Sequence, residues 1–294
     1  MSARRPTNPQ GEGTAPLTPY ERQRVELGAL VRRQRKAAGL DQTELGARSG
    51  LGQSAISKIE SARVTPTSET LTRVADALGL SGDARAELLD HLDELQTEYT
   101  SLRVRQRRGQ RSAQEDYGAL EAAAKEIAVY QLALVPGLLQ TAEYARSMLA
   151  VLAPNLPDPE GLIAGRLQRQ QLLYDPARRL RFLMTEAAVR ARVAPASVLR
   201  GQVDRILALA VGFDHLEVGV LPTATPVQAY SVTSFDIIGD VVVVELPGAD
   251  VRLRDQANLA RYTETFEGLW RSALRGEELV PFLRAIDREL AAER

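Results

Sequence analysis

The sequence predicts an all-α N-terminal domain followed by a C-terminal α+β domain. Between residues 40 and 63, a helix cap, a turn glycine and regular apolar spacing indicate short helices. From about residue 127 onward, runs rich in Val and Ile alternate with helical segments. The 294 residues suffice for two domains, and 44% hydrophobic content with 5% aromatics is typical of a globular protein. We therefore expect a helical domain over residues 22–96 and a second domain over residues 112–294.

The composition excludes several classes of protein. Residues 1–21 contain two arginines without an apolar run after them, which predicts a disordered arm and not a secretory signal. No stretch approaches the roughly 18 apolar residues of a membrane span. Without cysteine there are no disulfides or thiolate metal sites, and His91 and His215 lie far apart in the chain. We expect a cytoplasmic, nucleoid-associated protein that needs no membrane, cofactor or metal.

Charge is distributed unevenly along the chain. Up to Arg111 there are 18 Lys and Arg against 14 Asp and Glu, a net of +4. The remainder has 19 against 24, a net of −5, which together gives the overall −1. This asymmetry favours a basic N-terminal domain that binds an anionic partner and an acidic C-terminal domain.

The segment LDQTELGARSGLGQSAISKIESAR, residues 40–63, predicts two helices joined by a turn. Asp41 is a suitable N-cap for a helix over Gln42 to about Ser49, and Gly50 can take the left-handed conformation that ends it. A second helix opens at Gln53, with Ile56 and Ile59 directed inward. Its outer face carries hydrogen-bonding groups suited to base edges in the major groove, namely Gln53, Ser54, Ser57 and Lys58.

These residues resemble the lambda-repressor-like, or Xre-type, helix-turn-helix family from about Val25 to Leu80. The matching positions are Gln42, Ile56, Ser57, Ile59 and Glu60. The resemblance implies that Gln42 touches a phosphate and braces Gln53, while Gln53, Ser54 and Lys58 face bases and Ser57 does either. Thr43 belongs to the same implied interface, and phosphate contacts are expected from Arg63 and from Arg35 or Lys36. The alternative is a helical bundle that uses this pattern for protein contacts.

Between the two domains, residues 97–111 are predicted to form a basic helical linker. Leu88, Leu92, Leu95, Tyr99 and Leu102 keep a helical spacing, and the run RVRQRRGQR follows from Arg103 to Arg111. The run is either a basic arm along the DNA backbone or a solvated link whose arginines form ion pairs with nearby carboxylates.

The second domain is predicted as a mixture of strands and helices. An opening helical stretch to about Lys125 leads to a strand, and Pro136 and Gly137 introduce a helix in VPGLLQTAEYARSML. Gly239 and Asp240 carry the turn signal of a hairpin. The predicted strands are 127–131, 179–185, 216–221, 232–238 and 241–246, and the further helices are 159–174, 196–211, 256–275 and 278–290.

This second part resembles a regulatory domain of unknown function that commonly follows an Xre-type domain in high-GC filamentous bacteria. The motifs are VPGLLQTAEYAR, TEAAVR, GQVDRIL, VLP and SFDI, in that order, over about residues 121–286. Residues 228–231 depart from the glycine-rich approach that the family often shows. The resemblance implies regulators of development or secondary metabolism, often encoded beside a small partner protein.

Candidate chemistry in the second domain is sparse, and we expect no enzyme. Glu186, and Glu245 with Asp250, are the best catalytic carboxylates, but no recognised catalytic or nucleotide-binding fingerprint appears. Glu186 is better explained by a helix N-terminus. Gln140 and Tyr144 either line a ligand or partner pocket or belong to a proline-started helix with a buried face, and the latter is favoured. The stripe of Tyr262, Phe266 and Trp270 predicts core packing or a subunit interface.

Taken together, the patterns predict a sequence-specific DNA-binding transcriptional regulator. We expect a homodimer on an inverted repeat in double-stranded DNA, because one such domain makes too few contacts for high specificity. The second domain would sense a ligand or a partner protein. The alternative is an antitoxin-like or anti-sigma-like protein that mainly captures another protein, with DNA binding secondary.

Overall fold

A computed structural model describes residues 19–101, 110–246 and 249–293. The chain divides into two compact units between Leu95 and Gln96.

The described elements of the first unit are helices. The buried residues of its apolar core include Leu30, Val31, Leu45, Ile56, Leu71, Val74 and Leu92. The helices are α1 (Pro19–Ala37), α2 (Gln42–Ser49), α3 (Gln53–Glu60), α4 (Ser68–Ala77) and α5 (Gly82–Gln96).

Two predictions about the first unit have different outcomes. The bounds predicted for α2 and the start of α3 are confirmed, as is the inward position of Ile56 and Ile59. The predicted arm is wrong for residues 19–21, because α1 begins at Pro19 and has Glu21 in its first turn. Proline is favoured at the first helical position and an acidic residue interacts favourably with the helix dipole there, so the helix starts earlier than apolar spacing suggests. Residues 1–18 lie outside the described residues.

The second unit alternates strands and helices. Its strands are β1 (Thr97–Ser101), β2 (Glu126–Gln131), β3 (Arg179–Thr185), β4 (Leu216–Leu221), β5 (Phe235–Ile238), β6 (Val241–Leu246), β7 (Ala249–Leu253) and β8 (Leu274–Arg275). Its helices are α6 (Gln110–Ala123), α7 (Ala142–Leu152), α8 (Pro159–Arg169), α9 (Glu186–Arg190), α10 (Ala196–Gly212), α11 (Gln256–Arg271) and α12 (Gly276–Ala292). Short 3₁₀ segments cover Gly137–Leu139 and Gln170–Tyr174.

The described strands form one mixed eight-stranded sheet in the order β1-β7-β6-β5-β2-β3-β4-β8. Strands β2, β3 and β4 run parallel, and the other pairs are antiparallel. A larger apolar core includes residues of α7, α10 and α12 together with Ile127, Phe182 and Val243. A smaller core includes residues of α11 with Ala128, Leu183 and Val242. Since neighbouring residues of a strand point to opposite faces, helices cover both faces of this sheet, in agreement with the predicted α+β class.

The predicted helical linker is wrong for Thr97–Ser101. These residues form β1 and pair antiparallel with β7, in the register Thr97 with Leu253 through Ser101 with Ala249. The helical spacing of the preceding leucines ends with α5 at Gln96, and strand pairing with a distant segment overrides it beyond that point. Residues 102–109, which hold most of the arginine run, lie outside the described residues, so its two interpretations stay predictions.

Other corrections concern element ends. The proline-started helix is interrupted, because Gly137–Leu139 forms a 3₁₀ turn and Thr141 caps a separate helix α7. The helix predicted from Pro159 to Tyr174 is α8 followed by a 3₁₀ segment. The hairpin turn is confirmed with Gly239 at φ 60°, although its first strand begins at Phe235. Helix α11 ends at Arg271 because residues 274–275 pair with β4.

Candidate nucleic-acid interface

Helix α2 is fixed at both ends by local hydrogen bonds. The Asp41 carboxylate accepts from the Glu44 backbone N–H at 2.8 Å, and the Glu44 carboxylate accepts from the Asp41 N–H at 2.7 Å. This reciprocal capping box satisfies two N–H groups that a helix start leaves open. At the other end Gly50 has φ 65°, and Arg73 donates to the carbonyls of Ser49 and Gly50 at 3.0 and 2.7 Å. The turn between α2 and α3 is therefore held from α4.

The angle between α2 and α3 depends on a close backbone approach at Gly46. A Cβ at this position would lie 2.9 Å from the Gln53 nitrogen and 2.9 Å from the Leu51 carbonyl oxygen. Both are backbone atoms, so they cannot move aside as a side chain would. Gly46 therefore lets α3 approach α2 closely, whereas the neighbouring Ala47 is exposed.

A chain of side-chain hydrogen bonds runs from inside the first unit to its surface. Arg35 donates through Nε and Nη2 to the two carboxylate oxygens of Glu60, at 2.5 and 3.0 Å. Gln42 donates through Nε2 to Glu60 at 2.9 Å, and Gln53 donates through Nε2 to the Gln42 Oε1 at 2.9 Å. The predicted bracing of Gln53 by Gln42 is therefore present as a hydrogen bond.

This chain determines which way each amide points. Burial alone would raise the pKa of Glu60, but the hydrogen bonds from Arg35 and Gln42 lower that pKa below its ordinary value. An ionised carboxylate can only accept, so Gln42 must direct its NH₂ group at Glu60 and its oxygen at Gln53. Gln53 then uses one N–H to reach Gln42. Its second N–H and its Oε1 remain available on the exposed surface.

The other predicted contact residues lie on or near α3 with different exposures. Thr43, Ser54 and Lys58 are exposed, and Ser57 is half-buried. Arg63 is exposed and follows Ala62, whose φ of 56° is left-handed. The Arg63 N–H donates to the Lys58 carbonyl at 2.9 Å, which fixes where the chain leaves the helix.

Arg35 does not fit its predicted role as a phosphate contact. The residue is 8% exposed, and its third donor group, Nη1, donates to the Leu40 carbonyl at 2.7 Å. The hydrogen bond with Glu60 raises the pKa of Arg35, as expected for a committed ion pair. Since its donors are directed inward, Arg35 anchors the chain described above. Lys36, the alternative in the prediction, is exposed.

Two structural roles in the first unit are not predicted by the motifs. Glu60 belongs to the family pattern but has no predicted role, and nothing in the pattern marks Arg73. The sequence signal for the Arg35–Glu60 pair is an arginine on the buried face near the end of α1 together with a glutamate at the end of α3. The Arg73 contacts carry no comparable signal, because their acceptors are backbone carbonyls.

The predicted ligand residues of the second unit do not form one site. Gln140 is 4% exposed, donates to the Val135 carbonyl at 2.7 Å and accepts from Arg166. Tyr144 is 1% exposed, and its hydroxyl accepts from the Val135 N–H at 3.3 Å. These internal bonds favour the structural interpretation of VPGLLQT. Glu186 opens α9, where its carboxylate accepts from Arg190 at 2.6 Å and from the Thr223 N–H at 2.9 Å.

The remaining candidates of the second unit also have structural surroundings. Phe266 and Trp270 are buried and stack at 5.5 Å, so the predicted aromatic stripe is core, with Tyr262 packed against it. Glu245 and Asp250 face each other across β6 and β7. A cavity of about 120 Å³ lies beside Ile237 and Phe266, and the residues around it include Glu126, Arg179, Arg181 and Thr263 but none of Gln140, Tyr144 and Glu186.

A capped helix, a glycine turn and a second helix with a polar outer face define a DNA-binding protein of the helix-turn-helix class. Residues 26–88 match a family model described as a helix-turn-helix domain. Residues 114–285, more than half of the chain, match the model of the domain of unknown function DUF5753, and the protein belongs to this family. It is an Xre-like helix-turn-helix transcriptional regulator with a DUF5753 C-terminal domain.

Several known proteins are similar to part of this chain. An uncharacterized HTH-type transcriptional regulator, y4dJ of Sinorhizobium fredii, is 41% identical over 68 residues, which cover 23% of this chain and 84% of that protein. The restriction-modification controller protein C.AhdI of Aeromonas hydrophila matches at 24% identity over 26% of this chain and 99% of that chain, with a TM-score of 0.22. The clp gene regulator ClgR of C. glutamicum matches at 32% identity over 27% of this chain and 92% of that chain, also with a TM-score of 0.22.

Within the described ranges, no helix combines the length and the apolar character needed to cross a membrane.

Proposed function

We propose that the protein recognises a specific double-stranded DNA sequence through the exposed face of α3. The observation that carries this proposal is the chain from Arg35 through Glu60 and Gln42 to Gln53. It presents Gln53 with one free N–H donor and one oxygen acceptor, side by side. Adenine offers the complementary pair in the major groove, an acceptor at N7 and a donor at the N6 amino group. Gln53 is thus oriented for adenine before DNA arrives.

Around Gln53, some of the other polar residues would contact bases and others would contact phosphates. Ser54 and Lys58 would face bases, with Lys58 suited to guanine, and Ser57 would contact either a base or a phosphate. Gln42 and Thr43 at the start of α2 would lie near a phosphate, since helix N-termini favour anions. Arg63 would contact the phosphate backbone, which contributes affinity without sequence preference.

The DNA-bound species in this proposal is a homodimer on an inverted repeat. One recognition helix of eight residues reads only a few base pairs, whereas two half-sites about one helical turn apart supply enough contacts for specificity. The second unit would shift the DNA affinity of the dimer when it binds a ligand or a small partner protein encoded nearby. The family resemblance supports genes of development or secondary metabolism as targets.

The decisive experiment is selection of genomic fragments by the purified full chain at physiological salt, followed by binding measurements on the best fragment. Wild type, Gln53→Ala and Gln168→Ala are compared, the last removing an exposed glutamine of the second unit. We expect an inverted repeat that Gln53→Ala binds about 1–3 kcal/mol more weakly and Gln168→Ala binds normally. Weak, sequence-independent binding by all three proteins would instead favour a protein-capture function.

A further inference from the structure

In the second unit, five polar side chains meet beneath α6 and α8 and are here called the buried polar cluster. They are Tyr117 and Glu121 of α6, Arg166 and Arg169 of α8, and Asp236 of β5. Asp236 and Glu121 are 7% and 4% exposed. Asp236 lies in the motif SFDI, and its cross-strand neighbours Val129 and Val243 are both apolar, so a carboxyl group there requires explanation.

The contacts within the buried polar cluster are only partly complete. Tyr117 donates its hydroxyl to Asp236 Oδ2, and Arg169 donates to Glu121 at 3.1 Å while stacking over the Tyr117 ring at 5.4 Å. Within the buried polar cluster, three shielded atoms have no hydrogen-bond partner: Asp236 Oδ1, Arg166 Nε and Arg169 Nε. Buried polar atoms without partners are uncommon and costly, so three from neighbouring side chains indicate a site that something else completes.

The charges indicate what completes it. Arg169 is paired with Glu121, but Arg166 donates only to the neutral amide oxygen of Gln140. Burial and the nearby Arg169 lower the pKa of Arg166 by more than the carboxylates of Glu245 and Glu121 raise it. For Asp236, burial and the charge of Glu245 raise the pKa well above the ordinary value, which favours the protonated carboxyl group. A protonated Oδ1 is a donor, and the three free positions are then all donors.

We propose that the buried polar cluster binds a small molecule through an anionic oxygen group, a carboxylate or a phosphate. Arg166 Nε and Arg169 Nε would donate to the anion, and Asp236 would donate through Oδ1. Gly137 of VPGLLQT lies next to Arg166, and a Cβ added there would be 3.7 Å from the Arg166 Nε. Glu245, which is exposed and accepts from Gln131 at 3.2 Å, marks the solvent side of the same face. The inference gives a ligand class to the sensing role proposed above.

The test measures thermal unfolding of the full chain with inorganic phosphate or acetate from 0 to about 50 mM, at ionic strength held constant with sodium chloride. Wild type is compared with Arg166→Gln and with Arg288→Gln, which removes an exposed arginine of α12. We expect saturable stabilisation of wild type and Arg288→Gln by one of the two anions. The midpoint concentration should rise at least tenfold in Arg166→Gln. Phosphate and acetate distinguish the two anion chemistries.

A second variant keeps the test valid if Arg166→Gln fails to fold. Gly137→Ala adds a methyl group in ordinary contact distance of Arg166 Nε and keeps every charge, so it should fold and bind the anion more weakly. Equal stabilisation of wild type and both variants would show a general salt effect and overturn the proposal, as would no saturable stabilisation of wild type by either anion. Because no DNA is present, these outcomes are independent of whether α3 recognises DNA.

Discussion

In the first unit Arg35 and Glu60 use all their charged groups on each other and on two further partners, whereas in the second unit Arg166 donates to an amide and leaves one donor open. Arg35 and Arg166 are both shielded from solvent and near a carboxylate. The two hydrogen-bond networks differ in the group at which each one ends. The Arg35 chain ends on an exposed glutamine whose orientation it determines, and the buried polar cluster ends on unpartnered donors inside the unit. A complete network suits a rigid contact surface, and an incomplete one suits a binding site.

The largest expected effect tests the completeness of the first network. Glu60→Ala should destabilise the first unit by about 3–5 kcal/mol, because it leaves the Arg35 charge buried without its carboxylate. Urea unfolding of the full chain, followed by circular dichroism, measures the loss in the transition of the helical unit.

Glu87→Ala is the matched control for Glu60→Ala. Glu87 pairs with Arg33 at 3.4 Å, but both side chains are largely exposed, at 46% and 66%. Removal of such a surface pair should change stability by less than about 1 kcal/mol. Similar losses for the two variants would mean that the Arg35–Glu60 pair is no more than a surface ion pair.

A smaller effect tests whether the chain orients Gln53 for DNA. On the selected DNA site, Gln53→Ala should lose about 1–3 kcal/mol of binding free energy. Gln42→Ala should lose part of the same amount, because it frees the Gln53 amide to rotate. The double variant should therefore lose less than the sum of the two single losses, as measured by fluorescence anisotropy at fixed salt. Strictly additive losses would show that Gln42 does not act through Gln53.

How far the sequence predicted these networks depends on the range of the interactions. The ends of α2 follow from Asp41, Glu44 and Gly50, which act on their own turn, and the predicted ends agree with the observed ones. Strand β1 was missed because its partner β7 lies far along the chain and no local pattern marks the pair. The buried polar cluster was missed for the same reason, although Asp236 within an apolar strand was a visible signal.

The pH dependence of stability tests the protonated state of Asp236. Its pKa is raised in the folded protein, above the unfolded value of about 3.9. Folding therefore gains from this group below the unfolded pKa and loses that gain as the pH rises through the folded pKa. Asp236→Asn has no ionisable group at this position, so it does not lose stability between the unfolded and the folded pKa. The stability of the variant relative to wild type should therefore rise with pH by up to about 1.4 kcal/mol per pH unit between these two pKa values.

Urea unfolding of wild type and Asp236→Asn at several pH values between 4 and 8 checks this sign. Asp240→Asn, in the exposed hairpin turn, removes one carboxylate of the neighbouring segment and serves as the control. A constant difference between wild type and Asp236→Asn over the whole range would show that Asp236 is ionised in the folded protein, and the buried polar cluster would then not present three donors.

The smallest expected effect separates backbone contacts from base contacts on the first unit. Arg63 is exposed beside the end of α3 and has no part in the Arg35 chain, so Arg63→Ala should weaken binding to specific and random DNA by the same factor. Loss of one phosphate contact should also reduce the slope of log affinity against log salt by about 1. Titrations of both DNAs between 50 and 200 mM salt measure the two quantities together, with Gln53→Ala as the comparison whose salt slope should stay unchanged. A loss confined to the specific DNA would place Arg63 among the base-reading residues, and the recognition surface would then extend beyond α3.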